Sequence, residues 1–242
     1  MDVLLKCFLQ NIKIKEIVLI NLKLISIITT QEREALKNQS QIDISLIIEI
    51  INEVLSNYDE HLDIIIQLTE LIKNIFTSSK ETWIRKILID VIFNNSDKYM
   101  SKQEFVELFL TTLYNMIKID KAIVEMTCSS IIYYVSKNLN VNLNRNMITH
   151  ILKIMKHISF TKSLDFSSFL VDIIKILKLF EQQNGFHSDD LVILFSEIIG
   201  NFCIHTSFYK EISNEFIGFV LEYAYSKEPN SNTHSKLLVY YC

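Results

Sequence analysis

Asp59-Glu60-His61-Leu62-Asp63 is the most catalytic-looking group of side chains in this chain. On a helix Asp59 and Asp63 would share a face, so two carboxylates and a nearby imidazole could hold a divalent cation. A helix amino terminus has the same composition, because the macrodipole favours acids there, and that reading needs no metal. His187-Ser188-Asp189-Asp190 is the same case: Ser188 reads as a helix cap with two acids in the first turn. Cys203 and His205 point to different helical faces, and Cys203 reads as a small core residue. His150 and His157 share a face without nearby carboxylates and read as surface or half-buried histidines. No GxSxG, HExxH, P-loop or dinucleotide fingerprint is present. The expectation is no enzyme: no catalytic residue, no metal, no cofactor and no small-molecule substrate.

Charge patterning is more informative than any of these clusters. Between Asn38 and Ile72 there is no Lys or Arg, while Asp43, Glu49, Glu53, Asp59, Glu60, Asp63 and Glu70 are all acidic. Between Met126 and Leu164 there is no Asp or Glu, while Lys137, Arg145, Lys153, Lys156 and Lys162 are basic. Such segments can steer oppositely charged partner regions, or be ordinary solvated faces. Tyr133-Tyr134, and Tyr223 with Tyr225, place successive tyrosines around a helix, so at least one of each pair is a candidate for exposure and partner contact. Core packing with a wet hydroxyl is the alternative account. The candidate partner-binding residues are therefore Asp43, Glu49, Glu53, Asp59, Glu60, Asp63, Arg145, Lys153, Lys156, Tyr133 and Tyr134. A net charge of −4 and the lack of arginine clusters argue against a nucleic-acid partner.

What positions these residues is set by a shortage. The 242 residues contain three glycines and one proline, where an average chain holds roughly 17 and 12. Hairpins, sharp turns and phosphate-cradling loops lean on those residues, so few folds remain. AT-rich coding is a competing explanation for part of the bias, since 40 residues are Ile and 19 are Asn. Apolar stripes at i, i+3, i+4, i+7 run through Phe105–Met116, Phe166–Phe180 and Leu191–Phe202, with a looser one through Leu62–Phe76. Start signals accompany them: Ser101 with Glu104, Ser78 with Glu81, and Ser56 or Asn57 ahead of Asp59, Glu60 and Asp63. The spacing predicts helices over 2–9, 12–29, 42–56, 59–77, 80–94, 101–118, 120–138, 145–159, 164–182, 188–205, 208–226 and 234–241, joined by polar rather than Gly/Pro-rich breaks.

The apolar run 17–28 is too short and too charged for a membrane span, which needs about 20 apolar residues, and reads as a buried helix. Nor does a cleavage site suggest a signal peptide. Cys7, Cys128, Cys203 and Cys242 form no CxxC pair, so neither a disulfide framework nor structural zinc is expected. A reducing intracellular setting, cytoplasmic or nuclear, is the default.

Pairing consecutive helices gives hairpins starting near residues 42, 80, 119, 164 and 207, a period close to that of HEAT and armadillo units. A hairpin of this kind buries its stripe only by stacking on neighbours. The stretch from Leu191 to His205, with Phe208-Tyr209-Lys210-Glu211-Ile212, Phe216-Ile217 and Val220-Leu221, resembles an armadillo repeat. In that family a long third helix ending near a Gly/Ala-Asn pair runs into a short helix and then the next repeat. The glycine that usually follows the short helix is missing, and Ser213-Asn214 stands in its place. The resemblance covers about 30 residues, less than one repeat unit of roughly 40–47. It implies an all-α armadillo/HEAT-like α-solenoid of five to six helical repeats over 1–242, either whole or part of a longer array. By the same resemblance the function would be non-enzymatic scaffolding, with a helical surface that holds an extended peptide or a partner helix. A compact helical regulatory subunit of a larger complex is the alternative.

Overall fold

A computed structural model describes residues 2–31, 44–78, 82–137, 143–161, 170–182, 188–204 and 209–226. Eleven helices and no strand occur among the described residues, so the chain is all-α. In chain order they are α1 (Asp2–Gln10), α2 (Lys15–Gln31), α3 (Ile44–Tyr58), α4 (Leu62–Ser78), α5 (Thr82–Ser96), α6 (Gln103–Ile119), α7 (Lys121–Lys137), α8 (Arg145–Ser159), α9 (Leu170–Gln182), α10 (Asp189–Ile204) and α11 (Tyr209–Tyr225). The helix predicted over 234–241 lies outside the described residues, as does the stripe at Phe166 and Phe169.

The helices group into two compact units, Met1–Ile119 and Asp120–Cys242. In the first, α4 packs against α2 and against α6, making a row of alternate helices, while α1 packs on α3. Contacts between chain neighbours (α1 with α2, α3 with α4, α4 with α5) tie the layers together. In the second unit the same alternation joins α8 to α10 and α7 to α9, with α7 on α8 and α10 on α11. Contacts to the next helix and the next but one are compatible with a helical stack.

Each stripe goes where its period sends it. Ile64, Leu68, Leu71, Ile72 and Ile75 are buried on α4, and Phe105, Phe109, Leu113 and Met116 on α6. Every such side chain contributes about 1.5–3 kcal/mol of burial. Aromatic clusters join the layers: Phe109 meets Phe93 at 6.1 Å in the first unit, and Phe195 meets Phe180, Phe216 and Phe219 at 4.9, 5.6 and 5.6 Å in the second. Two buried hydroxyls are absorbed locally, Thr69 Oγ1 donating to the Ile65 carbonyl and Ser196 Oγ to the Val192 carbonyl, one turn back.

The run 17–28 is buried on one side only. Val18, Leu22, Ile25 and Thr29 are buried, but Ile20 is 64% exposed and Ile27 51%. No helix among the described residues is long and apolar enough to cross a membrane.

Polar residues make the connections that glycine and proline make elsewhere. Asn11 donates to the Cys7 carbonyl, Asp120 accepts from the Ala122 amide, and Asn144 caps α8 by accepting from Met147 N at 2.9 Å. Three expected starts move. The buried stripe of α3 continues to Tyr58, so the helix outlasts Ser56 and Asn57, and Asp59-Glu60 form the turn. His61 then opens α4, its carbonyl accepting from Ile65 N. Buried Tyr99 and Met100 hold the next turn, and the Lys102 carbonyl rather than that of Ser101 receives the first bond of α6, from Val106 N. Ser78 is the last residue of α4 rather than the cap of α5. The armadillo-like stretch also differs, since α11 runs unbroken through Ser213-Asn214, where the repeat pattern places the break after a short helix.

Candidate interaction surface

The row α2–α4–α6 presents its helix amino termini with one acid each: Glu16, Asp63 and Glu104. Beyond that rim, α4 and α6 leave an open groove of about 350 Å³ lined by Ile66, Glu70, Glu104, Glu107, Leu108 and Thr111. Ile66 and Leu108 are half-buried there. Glu70 pairs with Lys73 one turn further along α4. Both walls place an apolar and an acidic side chain one turn apart, Ile66 with Glu70 and Leu108 with Glu104. Of these residues the charge run contained only Glu70. Glu104 read as a capping residue, and Glu107 had no sequence signal, because the groove exists only once α4 and α6 are neighbours.

The predicted acidic residues are dispersed. Asp43 lies outside the described residues, while Glu49 and Glu53 are exposed on α3. Glu53 accepts from the Asn57 side-chain amide. Asp59 and Asp63 do not share a helical face, since Asp59 and Glu60 sit in the α3–α4 turn. Lysines from other segments engage both aspartates: Lys98 pairs with Asp59, and Lys15 with Asp63 at 3.0 Å. Lys15 also reaches His61 Nδ1 at 3.2 Å. Slight burial alone would raise the Asp63 pKa, but the hydrogen bond and charge of Lys15 hold it below the ordinary carboxylate value. The bond to Asp59 raises that of Lys98. Burial pushes the neighbouring Tyr99 hydroxyl up, and Asp59 adds to this. Among the described residues, no three His, Cys, Asp or Glu side chains gather in a metal-holding arrangement.

The basic residues are similarly engaged. Lys156 on α8 pairs with Glu197 on α10 at 2.8 Å and lies over the Phe160 ring at 6.0 Å. Lys137 lies over Tyr133 at 5.2 Å. Lys153 is half-buried, Arg145 is exposed at the start of α8, and Lys162 lies outside the described residues. Tyr133 is 49% exposed and meets half-buried Tyr134 edge-on at 5.5 Å. In the other tyrosine pair Tyr225 is exposed, while Tyr223 donates to Asp189 at 2.9 Å.

The remaining candidates fall into local roles. Ser188 opens α10 through its carbonyl, which accepts from Val192 N, while its buried hydroxyl has no partner. Cys203 is half-buried, and burial raises its thiol pKa. His150 Nδ1 donates to the Asn146 carbonyl at 2.9 Å, and His157 is half-buried. His187 and His205 lie outside the described residues. No family model matches the chain, and neither a curated protein nor a solved structure matches it.

Proposed function

We propose that this chain is a non-enzymatic protein-interaction scaffold whose α4–α6 groove holds an extended peptide or a partner helix. The observation that carries this reading is the groove itself: an open space with helices for walls, lined by both apolar and acidic side chains. That shape suits the side of a polypeptide better than a small molecule, which needs enclosure over most of its surface. The residues best suited to acid–base or metal chemistry, Asp59 and Asp63, are each occupied by a lysine. The architecture we propose is a stack of HEAT- or armadillo-type hairpins. The alternation of contacts within each unit supports it, and the unbroken α11 favours two-helix HEAT-like hairpins over three-helix armadillo units. A folded protein inside the cell, bound to protein rather than nucleic acid, is the corresponding biological setting.

The test is cross-linking mass spectrometry of the full chain in cells, set beside the Ile66→Asp and Leu108→Asp variants. Both side chains are half-buried, so circular dichroism is expected to show an intact fold. A protein cross-linked to the parent near Ile66 or Leu108 and lost from both variants supports the scaffold reading. An identical set of cross-linked proteins for parent and variants overturns it.

A further inference from the structure

We infer that the outer face of α2 is a self-association surface, on which a second copy of this chain seats its own α2 antiparallel about a two-fold axis at Ile20. The surface is separate from the α4–α6 groove, and the inference does not rest on the scaffold reading. α2 stands at one end of the row α2–α4–α6 and packs on α4 and α1. Its inner stripe of Val18, Leu22, Ile25 and Thr29 is buried. About half a turn round the same helix, Ile20, Leu24 and Ile27 are 64%, 39% and 51% exposed. Their i, i+4, i+7 spacing is that of the buried stripe, so α2 carries a second seam of the kind that receives a helix. A helix at the end of a stacked row needs a polar outer face to stay soluble alone. The outer face of α2 is apolar instead.

The residues beside the seam select a second copy as the occupant. At about 3.6 residues per turn, Glu16 and Lys23 lie on one side of Ile20, and Ile17 and Leu24 on the other, each about 40–60° away. Glu16 and Lys23 are exposed, and neither has an ion-pair partner among the described residues. Ile17 is half-buried. A two-fold axis at Ile20, perpendicular to the helices, turns α2 end for end and brings like edge to like edge. Glu16 of one copy then falls level with Lys23 of the other to within one residue, about 1.5 Å, and symmetry forms the reciprocal pair. On the opposite edge Ile17 meets Leu24 twice, and Ile20 meets its own copy at the centre. One register therefore matches charge and apolar surface together, and a second copy supplies the complement by symmetry alone. Parallel helices would set the charged edge of each copy against the apolar edge of the other, burying Glu16 and Lys23 without partners. One 17-residue helix laid on another buries less than about 1,200 Å² in total, the range of interfaces that dissociate on dilution.

The experiment is analytical ultracentrifugation of the full chain over a concentration series. The parent is expected to pass from monomer to dimer as concentration rises. Ile20→Asp places two carboxylates on the axis and is expected to abolish the dimer. That side chain is exposed, so circular dichroism is expected to show unchanged helix content. Glu16→Lys and Lys23→Glu each leave like charges facing one another between the copies and are expected to weaken association about tenfold. Mixing the two single variants restores opposite charges at both pairs, so the mixture is expected to dimerise as the parent does. The double variant Glu16→Lys/Lys23→Glu is expected to do the same. A parent that stays monomeric at every concentration overturns the inference, and so does a dimer that survives Ile20→Asp. Weakening in both single variants with no recovery on mixing also overturns it, since the α2 face would then meet something other than another α2. None of these outcomes bears on the groove, whose own test uses Ile66 and Leu108.

Discussion

Asn74 on α4 donates its side-chain amide to Ser26 Oγ on α2 across 2.7 Å, and Asn201 on α10 repeats the pairing with Ser159 on α8 at 3.1 Å. In each unit an asparagine late in one helix bonds a serine late in the helix two places earlier. These bridges fix the lateral register of a row that apolar packing alone would leave free to slide. Asn74→Ala is expected to lower stability by about 1 kcal/mol. Chemical denaturation of Ser26→Ala, Asn74→Ala and the pair together measures the coupling, expected at about 0.5 kcal/mol or more. Strict additivity of the two changes would show that the contact contributes nothing.

Two helix starts that look alike in sequence are expected to respond differently. Asn144 accepts a backbone hydrogen bond, so Asn144→Ala is expected to cost about 1 kcal/mol. The Ser188 hydroxyl is buried without a partner, so Ser188→Ala removes no bond and is expected to be neutral or slightly stabilising. Paired thermal melts decide it, and a Ser188→Ala loss as large as that of Asn144→Ala would contradict the geometry.

Most of the fold was legible because the helical period writes each buried stripe directly into the chain. The ranges expected for α8, 145–159, and α10, 188–205, fall almost to the residue on the helices found, the second from the stripe through Leu191, Phe195 and Phe202. Charged residues were harder to read, since a run of one sign along the chain says nothing of what another helix brings to it. Asp63 belongs to a stretch without basic residues, yet Lys15, 48 positions earlier, lies against it. The acids of the groove were obscured for the same reason. Glu70 and Glu107 line one space only because α4 and α6 are adjacent, and adjacency of alternate helices is a property of the tertiary packing rather than of either segment. At Asp59 the local rule failed differently: acids at a helix start and acids in the preceding turn have the same composition, and burial of Tyr58 decided between them.

Gly218 sits inside α11 on an exposed face, and a Cβ built there meets nothing within 4 Å. Gly218→Ala is therefore expected to stabilise the protein by about 0.5–1 kcal/mol by reducing the conformational freedom of the unfolded chain. Denaturant titration measures this, and destabilisation would mean that the outer face of α11 is covered in solution.

The cysteines and Asp63 set opposite limits on pH. Burial pushes the Cys128 thiol up to about 12 from 9.0. The resulting stability is fully present below pH 9, where the thiol is neutral in both states, and is lost as pH rises from 9 towards 12. Asp63, whose pKa is lowered, contributes above the unfolded carboxylate value of 3.8, and that contribution is lost as pH falls through the folded value. Iodoacetamide at pH 8 is expected to label exposed Cys7 quickly, half-buried Cys203 more slowly, and Cys128 only after denaturation. Native-state labelling of Cys128 at the rate of Cys7 would contradict its burial.

The polar ties of this chain join residues separated by 48, 39, 42 and 34 positions: Ser26 with Asn74, Asp59 with Lys98, Ser159 with Asn201, and Asp189 with Tyr223. Loop-closure entropy depends only on the logarithm of that distance, so the four closures differ by about 0.3 kcal/mol. Each course of helices is therefore laid at nearly the same entropic cost as the one before it. Of the four, the tie between Ser26 and Asn74 spans the most chain and that between Asp189 and Tyr223 the least, yet neither closure is appreciably harder than the other.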